Sequence, residues 1–349
     1  MNTWWILLIG LAVLFLLAVA NSLVGNALST QRWLRRPLPQ GDRVDVGGYR
    51  VYALCQGEGK PTVVLETAVN SLSLEWWPIQ QELIKDTNVL LYDRAGNGWS
   101  EKGPFPRTSQ QVVKELRAVL DRLQLEPPFL LVGQSQGGLY LQHFARLYPQ
   151  EVAGLVLADP VSTNNDRFNQ IQSPIHQRYG SIASKIANAR RAVSASRLGL
   201  MRSTARRMRS GAQFDPYRDL PDWIQEAVLE NFILPKAHLA AVSELESLDE
   251  SIVQVRKAGA FPLVPFLVLH HDPLKYRQEL ENWGYPADTA QAVEEIWLEL
   301  HQELAAQSPQ GEMRIVPDSG HAIHLDQPQA LVKGVRELLG NIRAGNKTL

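Results

Sequence analysis

The sequence predicts an α/β fold with a mostly parallel central sheet and helices on both faces. Short, continuous apolar runs alternate with longer helical segments, as at Thr62–Glu66, Val89–Tyr92 and Phe129–Val132. Such runs are typical of strands buried on both faces, and strands separated by helices form parallel sheets. From residue 161 to about residue 260 the alternation stops, which predicts a helical insertion in that sheet.

Size and charge limit the classes of protein that this chain can be. Its 349 residues, 45% of them hydrophobic, suffice for one large domain with a sizeable core. The formal net charge of −1 gives no indication of nucleic-acid binding. The single cysteine, Cys55, cannot form an internal disulfide and is expected to be a small buried hydrophobe. Neither C-x-x-C nor H-E-x-x-H occurs, so no metal site and no cofactor are predicted.

The N-terminal segment is apolar without interruption from Trp4 to Ala20, and it reaches the length of a membrane span when Leu23–Gly25 is included. Residues 1–25 are therefore expected to form a membrane anchor, with tryptophans at the membrane interface. A cleaved signal peptide is the alternative, with Ala18-Val19-Ala20 as the cleavage site. No Lys or Arg precedes the apolar run, which favours the anchor.

Three arginines follow this segment, at Arg32, Arg35 and Arg36. By the positive-inside rule, they predict that the downstream domain lies on the cytoplasmic side of the membrane. If the segment were instead a cleaved signal, the domain would be secreted. Residues 26–43, which include the proline-containing stretch 37–41, are interpreted as a linker.

The segment Gly133-Gln134-Ser135-Gln136-Gly137 fits the pattern G-x-S-x-G between a predicted strand and a predicted helix. This is the context of a nucleophile elbow, in which a serine lies on a sharp strand-to-helix turn. Glycines two positions before and after the serine allow the close backbone approach that the turn requires. The helix that follows directs its free N–H groups at the reacting oxygen. From this context, Ser135 is predicted to be the nucleophile.

Further strands and helices are predicted on the same grounds. Strands are expected at Val44–Val46, Tyr49–Cys55, Gly154–Ala158, Val264–His270 and Met313–Val316, the first two joined by a turn at Gly47-Gly48. Helices are expected at Trp76–Lys85, Ser109–Leu123, Leu139–Tyr148, Asp288–Ala306 and Gln329–Ile342. In Asp288–Ala306, apolar residues that include Val293, Trp297 and Leu300 recur at helical spacing, which indicates core packing.

Taken together, these segments resemble the α/β-hydrolase family over roughly residues 44–342. The matching segments occur in the family's order: Val63–Glu66 with the loop after it, Tyr92–Ser100, Gly133–Gly138, Gly154–Pro160, and Ser319–His321 with His324–Pro328. The resemblance implies the α/β-hydrolase fold, with a core at residues 44–160 and 261–343 and a helical lid at residues 161–260. The likeness is strongest to bacterial membrane-anchored hydrolases of this fold.

The resemblance also implies an oxyanion hole formed by the backbone N–H groups of Val69 and Gln136. The loop that carries Val69 departs from the family pattern, because the usual His-Gly pair is Thr67-Ala68 here. The conformation of this loop is therefore not implied by the resemblance.

A serine hydroxyl is a weak nucleophile until a base removes its proton. His321 is the candidate base, because it follows Gly320 in the family's final loop. His324 is the nearby competitor, whereas His176 and His301 are interpreted as structural histidines.

Two positions are open for the acid that orients His321. Asp159 directly ends the strand after the elbow helix, and Asp272 follows the next strand. The second position is the more common one in the family, yet the family's acid usually lies several residues beyond the strand, and Asp272 comes almost at once. Both aspartates remain candidates, with Asp159 preferred. Asp93, which precedes a glycine-rich turn, is expected to order that turn.

These residues predict acyl transfer to water. The expected enzyme is a serine hydrolase that cleaves small carboxylic esters with hydrophobic acyl groups through a Ser-His-Asp triad and an acyl-enzyme intermediate. Amidase or peptidase activity and acyl transfer to another alcohol are the enzymatic alternatives, and a catalytically silent binding module is the alternative from another class. The expected partners are the ester substrate and a membrane, with no nucleic acid.

A run of arginines lies in the predicted insertion: Arg190, Arg191, Arg197, Arg202, Arg206, Arg207 and Arg209. A solvated helix face is one interpretation of this run. Contact with anionic lipid beside the anchor is the other.

Overall fold

The computed structural model describes residues 3–38 and 40–345, and an eight-stranded sheet forms its centre. The strands are β1 (Asp42–Asp45), β2 (Arg50–Gln56), β3 (Thr62–Glu66), β4 (Val89–Tyr92), β5 (Phe129–Gln134), β6 (Val152–Ala158), β7 (Phe266–His270) and β8 (Gly311–Ile315), in the order β1-β2-β4-β3-β5-β6-β7-β8. Only β2 runs antiparallel to its neighbours, and every pair from β4 to β8 is parallel. The predicted α/β fold with a mostly parallel sheet is confirmed.

The helices of the described residues follow and separate these strands. They are α1 (Thr3–Leu34), α2 (Trp77–Leu83), α3 (Ser109–Arg122), α4 (Gln136–Leu147), α5 (Ile182–Arg197), α6 (Met201–Ser210), α7 (Asp222–Ile233), α8 (Pro235–Glu246), α9 (Leu248–Lys257), α10 (Pro273–Asn282), α11 (Ala287–Ala305), α12 (Ile323–Asp326) and α13 (Pro328–Gly345). The predicted helix over residues 76–85 corresponds to α2, which a 3-10 turn at Ser73–Trp76 precedes, and α10 was not predicted.

Strand residues alternate between two apolar clusters, one on each face of the sheet. Val63 and Leu65 belong to the cluster that contains α2 and α13, whereas Val64 belongs to the cluster that contains α3 and α4. All three side chains are fully buried. Because successive strand residues point to opposite faces, both faces must be covered, which explains why these strands are apolar without alternation.

The β1–β2 hairpin is built as its glycines predict. Gly47 and Gly48 both have positive φ, and the Asp45 carboxylate accepts hydrogen bonds from their N–H groups at 2.8 and 3.0 Å. Cys55, on β2, is half-buried rather than buried, and its Sγ lies 3.2 Å from Asn88 Oδ1. Burial raises the pKa of the Cys55 thiol to about 11.

Two helical segments connect neighbouring strands at the carboxyl edge of the sheet. Between β6 and β7 the chain forms α5 to α9, with no strand among residues 161–260, and this matches the predicted helical insertion. Between β7 and β8 it forms a second helical pair, α10 and α11. Residues from both helical segments lie above the carboxyl end of β5, where they line a cavity.

Helix α1 continues past the apolar segment to Leu34, so residues 26–34, predicted as part of a linker, are helical. Its apolar part is exposed, whereas its last turns pack on the rest of the protein. Asn26 Nδ2 donates to the carbonyl of Ser196 at 2.8 Å, and the ring of Trp33 lies 4.9 Å from that of Trp99. Residues 1 and 2 of the predicted anchor and Pro39 of the predicted linker lie outside the described residues. In length and composition, α1 suits either a membrane anchor or a signal sequence.

The arginine run divides between α5 and α6. Arg190 pairs with Glu246 at 2.6 Å and Arg202 with Glu230 at 3.5 Å. The side chains of the other five arginines are exposed, at Arg191, Arg197, Arg206, Arg207 and Arg209.

Candidate active site

Ser135 lies alone on the turn between β5 and α4. Its φ of 53° and ψ of −122° are rare for a residue with a side chain, and the helix begins at the next residue. A β-carbon on Gly137 would lie 2.3 Å from the carbonyl oxygen of Thr67, and one on Gly133 would lie 2.8 Å from Leu141 Cδ1. The two glycines are therefore required for the strand, the turn and the helix to pack this closely.

The structure brings Ser135, His321 and Asp159 together. His321 Nε2 lies 3.1 Å from Ser135 Oγ, and His321 Nδ1 lies 2.5 Å from Asp159 Oδ2. Asp159 directly follows β6 with a φ of 46°, and His321 lies in the loop after β8. The backbone of His321 is held in place by Gln134, whose Nε2 donates to the His321 carbonyl at 2.9 Å.

The carboxylate of Asp272 makes different contacts. Its Oδ1 accepts the N–H groups of Leu274 and Lys275 at the start of α10, and its Oδ2 accepts the N–H of Asp318 at 3.0 Å. These backbone bonds, the one from Asp318 first, lower the pKa of the Asp272 carboxyl. Asp272 is thus a helix N-cap, and the structure does not bring it to His321.

Two other residues considered from the sequence occupy structural positions. The ring of His324, the competitor of His321, is buried and stacks on Trp76 at 4.9 Å. Asp93 accepts the N–H of Ser73 at 2.9 Å and that of Trp99 at 3.3 Å. The turn after β4 is therefore ordered by Asp93, as predicted.

A buried chain of hydrogen bonds continues behind Asp159. Asp159 Oδ1 lies 2.7 Å from His271 Nδ1, and His271 Nε2 lies 2.7 Å from Glu294 Oε2. The second oxygen of Glu294 lies 2.8 Å from His270 Nε2, and His270 Nδ1 lies 2.7 Å from a ring nitrogen of His301. His301 is therefore structural, as interpreted, but it belongs to a network that reaches the candidate site.

Charge alternates along the first members of this network. Burial alone would lower the pKa of His271, but the charge of Asp159 and the hydrogen bonds to Asp159 and Glu294 raise it to about 10. Burial alone would raise the pKa of Asp159, but His271 and His321 hold it well below its usual range. At neutral pH the centre therefore holds a carboxylate, an imidazolium and a second carboxylate in series.

The same residues include a set with the composition of a metal site. Ligand atoms of Asp159, His270 and His271 lie within 4.8 Å of one another. However, both ring nitrogens of each histidine already have a protein partner. A metal ion at this position would have to displace those bonds, so the geometry fits a hydrogen-bond network better than a set of ligands.

Val69 and Gln136 carry the backbone N–H groups expected to bind an oxyanion. Both residues line the cavity in front of Ser135, and within the described part of the chain neither N–H has a protein acceptor. Gln136 is the first residue of α4, where N–H groups lack intrahelical partners.

The loop before Val69 is held by Arg94, for which no role was predicted from the sequence. Arg94 Nη1 donates to the carbonyl of Thr67 at 2.8 Å, and Nη2 donates to that of Ala68 at 2.7 Å. The guanidinium is fully buried and paired with Glu66 and Glu244. Arg94 thus fixes the loop at the position where the family's usual His-Gly pair is missing. In the sequence, Arg94 lies within the turn motif Tyr92–Ser100, but nothing there indicates which residues it contacts.

A cavity of 360 Å³ opens in front of Ser135 and His321. Most of its lining is apolar or aromatic, including Phe168, Ile182, Leu245 and Leu248 from the first insertion and Tyr276, Leu280, Trp283, Val293, Trp297 and Leu300 from the second. Val293, Trp297 and Leu300 were predicted as core packing, but in the structure they also line this cavity. His176, interpreted as structural, is part of the wall as well.

A parallel sheet flanked by helices, with a serine on a strained turn at the end of a central strand, defines the architecture of α/β hydrolases. A model described as "Alpha/beta hydrolase family" matches residues 69–333, and the chain belongs to that family. Its relatives and its fold support hydrolase activity.

Three comparisons illustrate this relationship. A putative 2-succinyl-6-hydroxy-2,4-cyclohexadiene-1-carboxylate synthase of Bacillus subtilis (strain 168) is 24% identical over 289 residues, which cover 77% of this chain and 87% of that protein. The uncharacterized protein YqjL of the same organism is 30% identical over 124 residues, 36% of this chain. The chain spans about half the length of the first curated relatives that it matches, 49% and 51%. The enol-lactonase from Burkholderia xenovorans LB400 has the same fold, with a TM-score of 0.60 at 20% identity over 86% of this chain and 100% of that one.

Proposed function

We propose that this protein is a serine hydrolase of carboxylic esters, with Ser135 as nucleophile, His321 as base and Asp159 as the acid that orients His321. The observation that carries the proposal is the 3.1 Å contact between Ser135 Oγ and His321 Nε2 on a strained turn. A nucleophile within hydrogen-bond reach of a base, which a carboxylate holds in turn, is the arrangement that acyl transfer requires.

In this mechanism His321 Nε2 takes the proton of Ser135 as Oγ attacks the ester carbonyl. The N–H groups of Val69 and Gln136 stabilise the resulting oxyanion, at about 3 kcal/mol per donor. His321 then returns the proton to the departing alcohol, which leaves an acyl-enzyme at Ser135. Water, activated by His321, attacks this acyl-enzyme and releases the carboxylic acid. Throughout, Asp159 fixes the imidazole tautomer and stabilises the imidazolium.

The apolar cavity supports an ester with a hydrophobic body as the substrate. The relative with an enol-lactonase structure acts, by its name, on a cyclic ester, which agrees with this choice. Hydrolysis of amides or peptides and acyl transfer to another alcohol use the same residues and are the alternatives. A catalytically silent binding module would not need the strained backbone that Ser135 adopts.

A fluorophosphonate probe tests this proposal directly, because it reacts with an activated serine nucleophile. We expect the full chain in detergent to be labelled and to hydrolyse 4-nitrophenyl esters, and Ser135→Ala to lose labelling and about 10⁴-fold or more of the rate. Retained hydrolysis by a folded Ser135→Ala protein would contradict the proposal. A chain-length series of the esters then measures the reach of the cavity.

The same proposal includes a division of the chain. Residues 1–25 serve as an uncleaved membrane anchor, residues 44–160 and 261–343 as the catalytic core, and residues 161–260 as a lid over the cavity. Continuity of α1 supports the anchor, since one helix joins the apolar segment to the buried Asn26 and Trp33. With Arg32, Arg35 and Arg36 beyond the span, the catalytic domain is cytoplasmic.

A further inference from the structure

One wall of the cavity is charged, although the rest is apolar. Lys185, on α5, is the only Lys or Arg among the described residues that line it, and no Asp or Glu lines it at all. Asp159 and Glu294, two acids of the candidate site, do not line the cavity, and both oxygens of each carboxylate already contact a histidine. The cavity therefore holds one cation and no compensating anion.

Lys185 lies on α5 at the wall of the cavity. Its side chain is accessible, yet surrounding protein lowers its pKa by desolvation. In the described part of the chain, Lys185 Nζ has no hydrogen-bond acceptor and no ion-pair partner.

Two more polar groups on the same wall lack protein partners. His176 Nδ1 is buried without a hydrogen bond, and no described residue bonds to the Tyr285 hydroxyl. A β-carbon at Gly180 would lie 2.5 Å from His176 Nδ1 and 2.6 Å from the Tyr285 oxygen, so the glycine leaves open the space between them. Burial, and after it the charge of Lys185, lower the pKa of His176, which is therefore neutral and near Lys185.

A cation without an ion-pair partner in a largely apolar cavity attracts a ligand group of opposite charge. We propose that Lys185, with Tyr285 and His176 beside it, forms a subsite for a carboxylate, and that the substrate is an ester with a free carboxylate distant from the bond that Ser135 attacks. This inference rests on the proposed function. A carboxylate is favoured over a phosphate because one negative charge matches one lysine, whereas a phosphate dianion would leave charge uncompensated.

Paired substrates test the subsite. The full chain in detergent is assayed by titration of released acid with monomethyl succinate, adipate and suberate, and with methyl esters of the matching monocarboxylic acids. We expect the ratio of kcat/KM for the best charged ester to that for its neutral partner to exceed one. Lys185→Gln should lower this ratio about tenfold or more, and Lys185→Arg should retain part of it. Lys114→Gln, at an exposed lysine on α3 away from the cavity, is the matched control and should leave the ratio unchanged.

Binding separates failure of this inference from failure of the proposed function. If the chain hydrolyses neither class of ester, titration calorimetry with adipate on the wild type and on Lys185→Gln still tests the subsite. Adipate binding that weakens about tenfold in Lys185→Gln supports it. An unchanged ratio in the kinetic assay, equal adipate binding by both proteins, or absence of adipate binding overturns it. Inorganic phosphate is the competitor, and displacement of adipate by phosphate at lower concentration would overturn the choice of a carboxylate.

Discussion

Asp159 accepts a hydrogen bond from His271 on the oxygen opposite the one that faces His321, with 2.7 Å between His271 Nδ1 and Asp159 Oδ1. His271 is buried and is held protonated between two carboxylates, those of Asp159 and Glu294. The charges of Asp159, His271 and Glu294 sum to −1, and protonation of His321 during attack would bring the group to neutrality. The buried network is therefore matched to the state in which His321 carries a proton.

The two candidate acids can be separated by matched substitutions. Asp159→Asn should lower kcat about 10⁴-fold without unfolding the protein, because it removes the charge and the tautomer control from His321. Asp272→Asn should change kcat little, since asparagine is also a good N-cap for α10. Steady-state kinetics on a chromogenic ester, with circular dichroism as the folding control, decide between them. Comparable mild losses in both variants would mean that neither carboxylate orients His321.

The shifted pKa of His271 makes stability depend on pH. The folded-state pKa, about 10, lies above the unfolded value of about 6.5. A raised pKa stabilises the fold fully below the unfolded value, and the contribution is lost as the pH rises toward the folded value. We therefore expect the free energy of unfolding to fall between pH 6.5 and 10, by up to about 1.4 kcal/mol per pH unit from this group.

His271→Gln isolates that contribution, because glutamine cannot titrate. Urea unfolding at several pH values should give a steeper alkaline loss of stability for the wild type than for the variant, whatever their absolute stabilities. Other groups that titrate in this range, such as Lys236 with a pKa lowered to about 8 by burial, affect both proteins alike. Parallel profiles for the two proteins would show that His271 is neutral in the folded state.

Arg94 is expected to act on catalysis through the oxyanion loop. A lysine cannot donate to the carbonyls of Thr67 and Ala68 and also pair with both glutamates. Arg94→Lys should therefore make the loop before Val69 more mobile, so that the Val69 N–H is held less firmly in position. We expect kcat to fall about 10- to 100-fold with a smaller change in KM, since the oxyanion forms only during reaction.

Arg107→Lys is the matched control for that prediction. Arg107 is equally buried and pairs with Glu115 at 2.7 Å, but it makes no hydrogen bond to the oxyanion loop. Both variants should lose stability, while only Arg94→Lys should show the selective loss of kcat. Equal kinetic losses would assign Arg94 a purely structural role.

The strands and the turn at Ser135 were predictable because burial on both faces and steric demand at Gly133 and Gly137 leave local signatures. The choice between Asp159 and Asp272 was not predictable, since it depends on which of the two carboxylates the folded loops bring to His321. Only the structure shows that the Asp272 carboxylate is occupied by the start of α10.

Residues that act through distant partners left no local signal. Lys185 lies in a helix with several other cations, and its isolation in the cavity depends on α10 and α11, which are about a hundred residues away in the sequence. The stripe on α11 shows the same limit, because helical periodicity identifies a buried face without telling core from cavity wall. His271 likewise belongs to the buried network through its contacts with Asp159 and Glu294, which the sequence does not indicate.

The anchor makes a prediction that separates it from a cleaved signal. The side chains of Ser22 and Asn26 donate to the carbonyls of Leu198 and Ser196, so the end of α5 lies against α1 just beyond the apolar segment. An uncleaved α1 would therefore hold the α5–α6 corner at the membrane surface, where the exposed Leu198 and Leu200 meet lipid.

We expect mass spectrometry of the purified protein to show residues 1–25 intact, and a protease added outside intact cells to leave the catalytic domain undigested. Permeabilised cells are the control, in which the same protease should digest the domain. A mature protein that starts at Asn21, or digestion from outside, would instead indicate a cleaved signal or the opposite orientation.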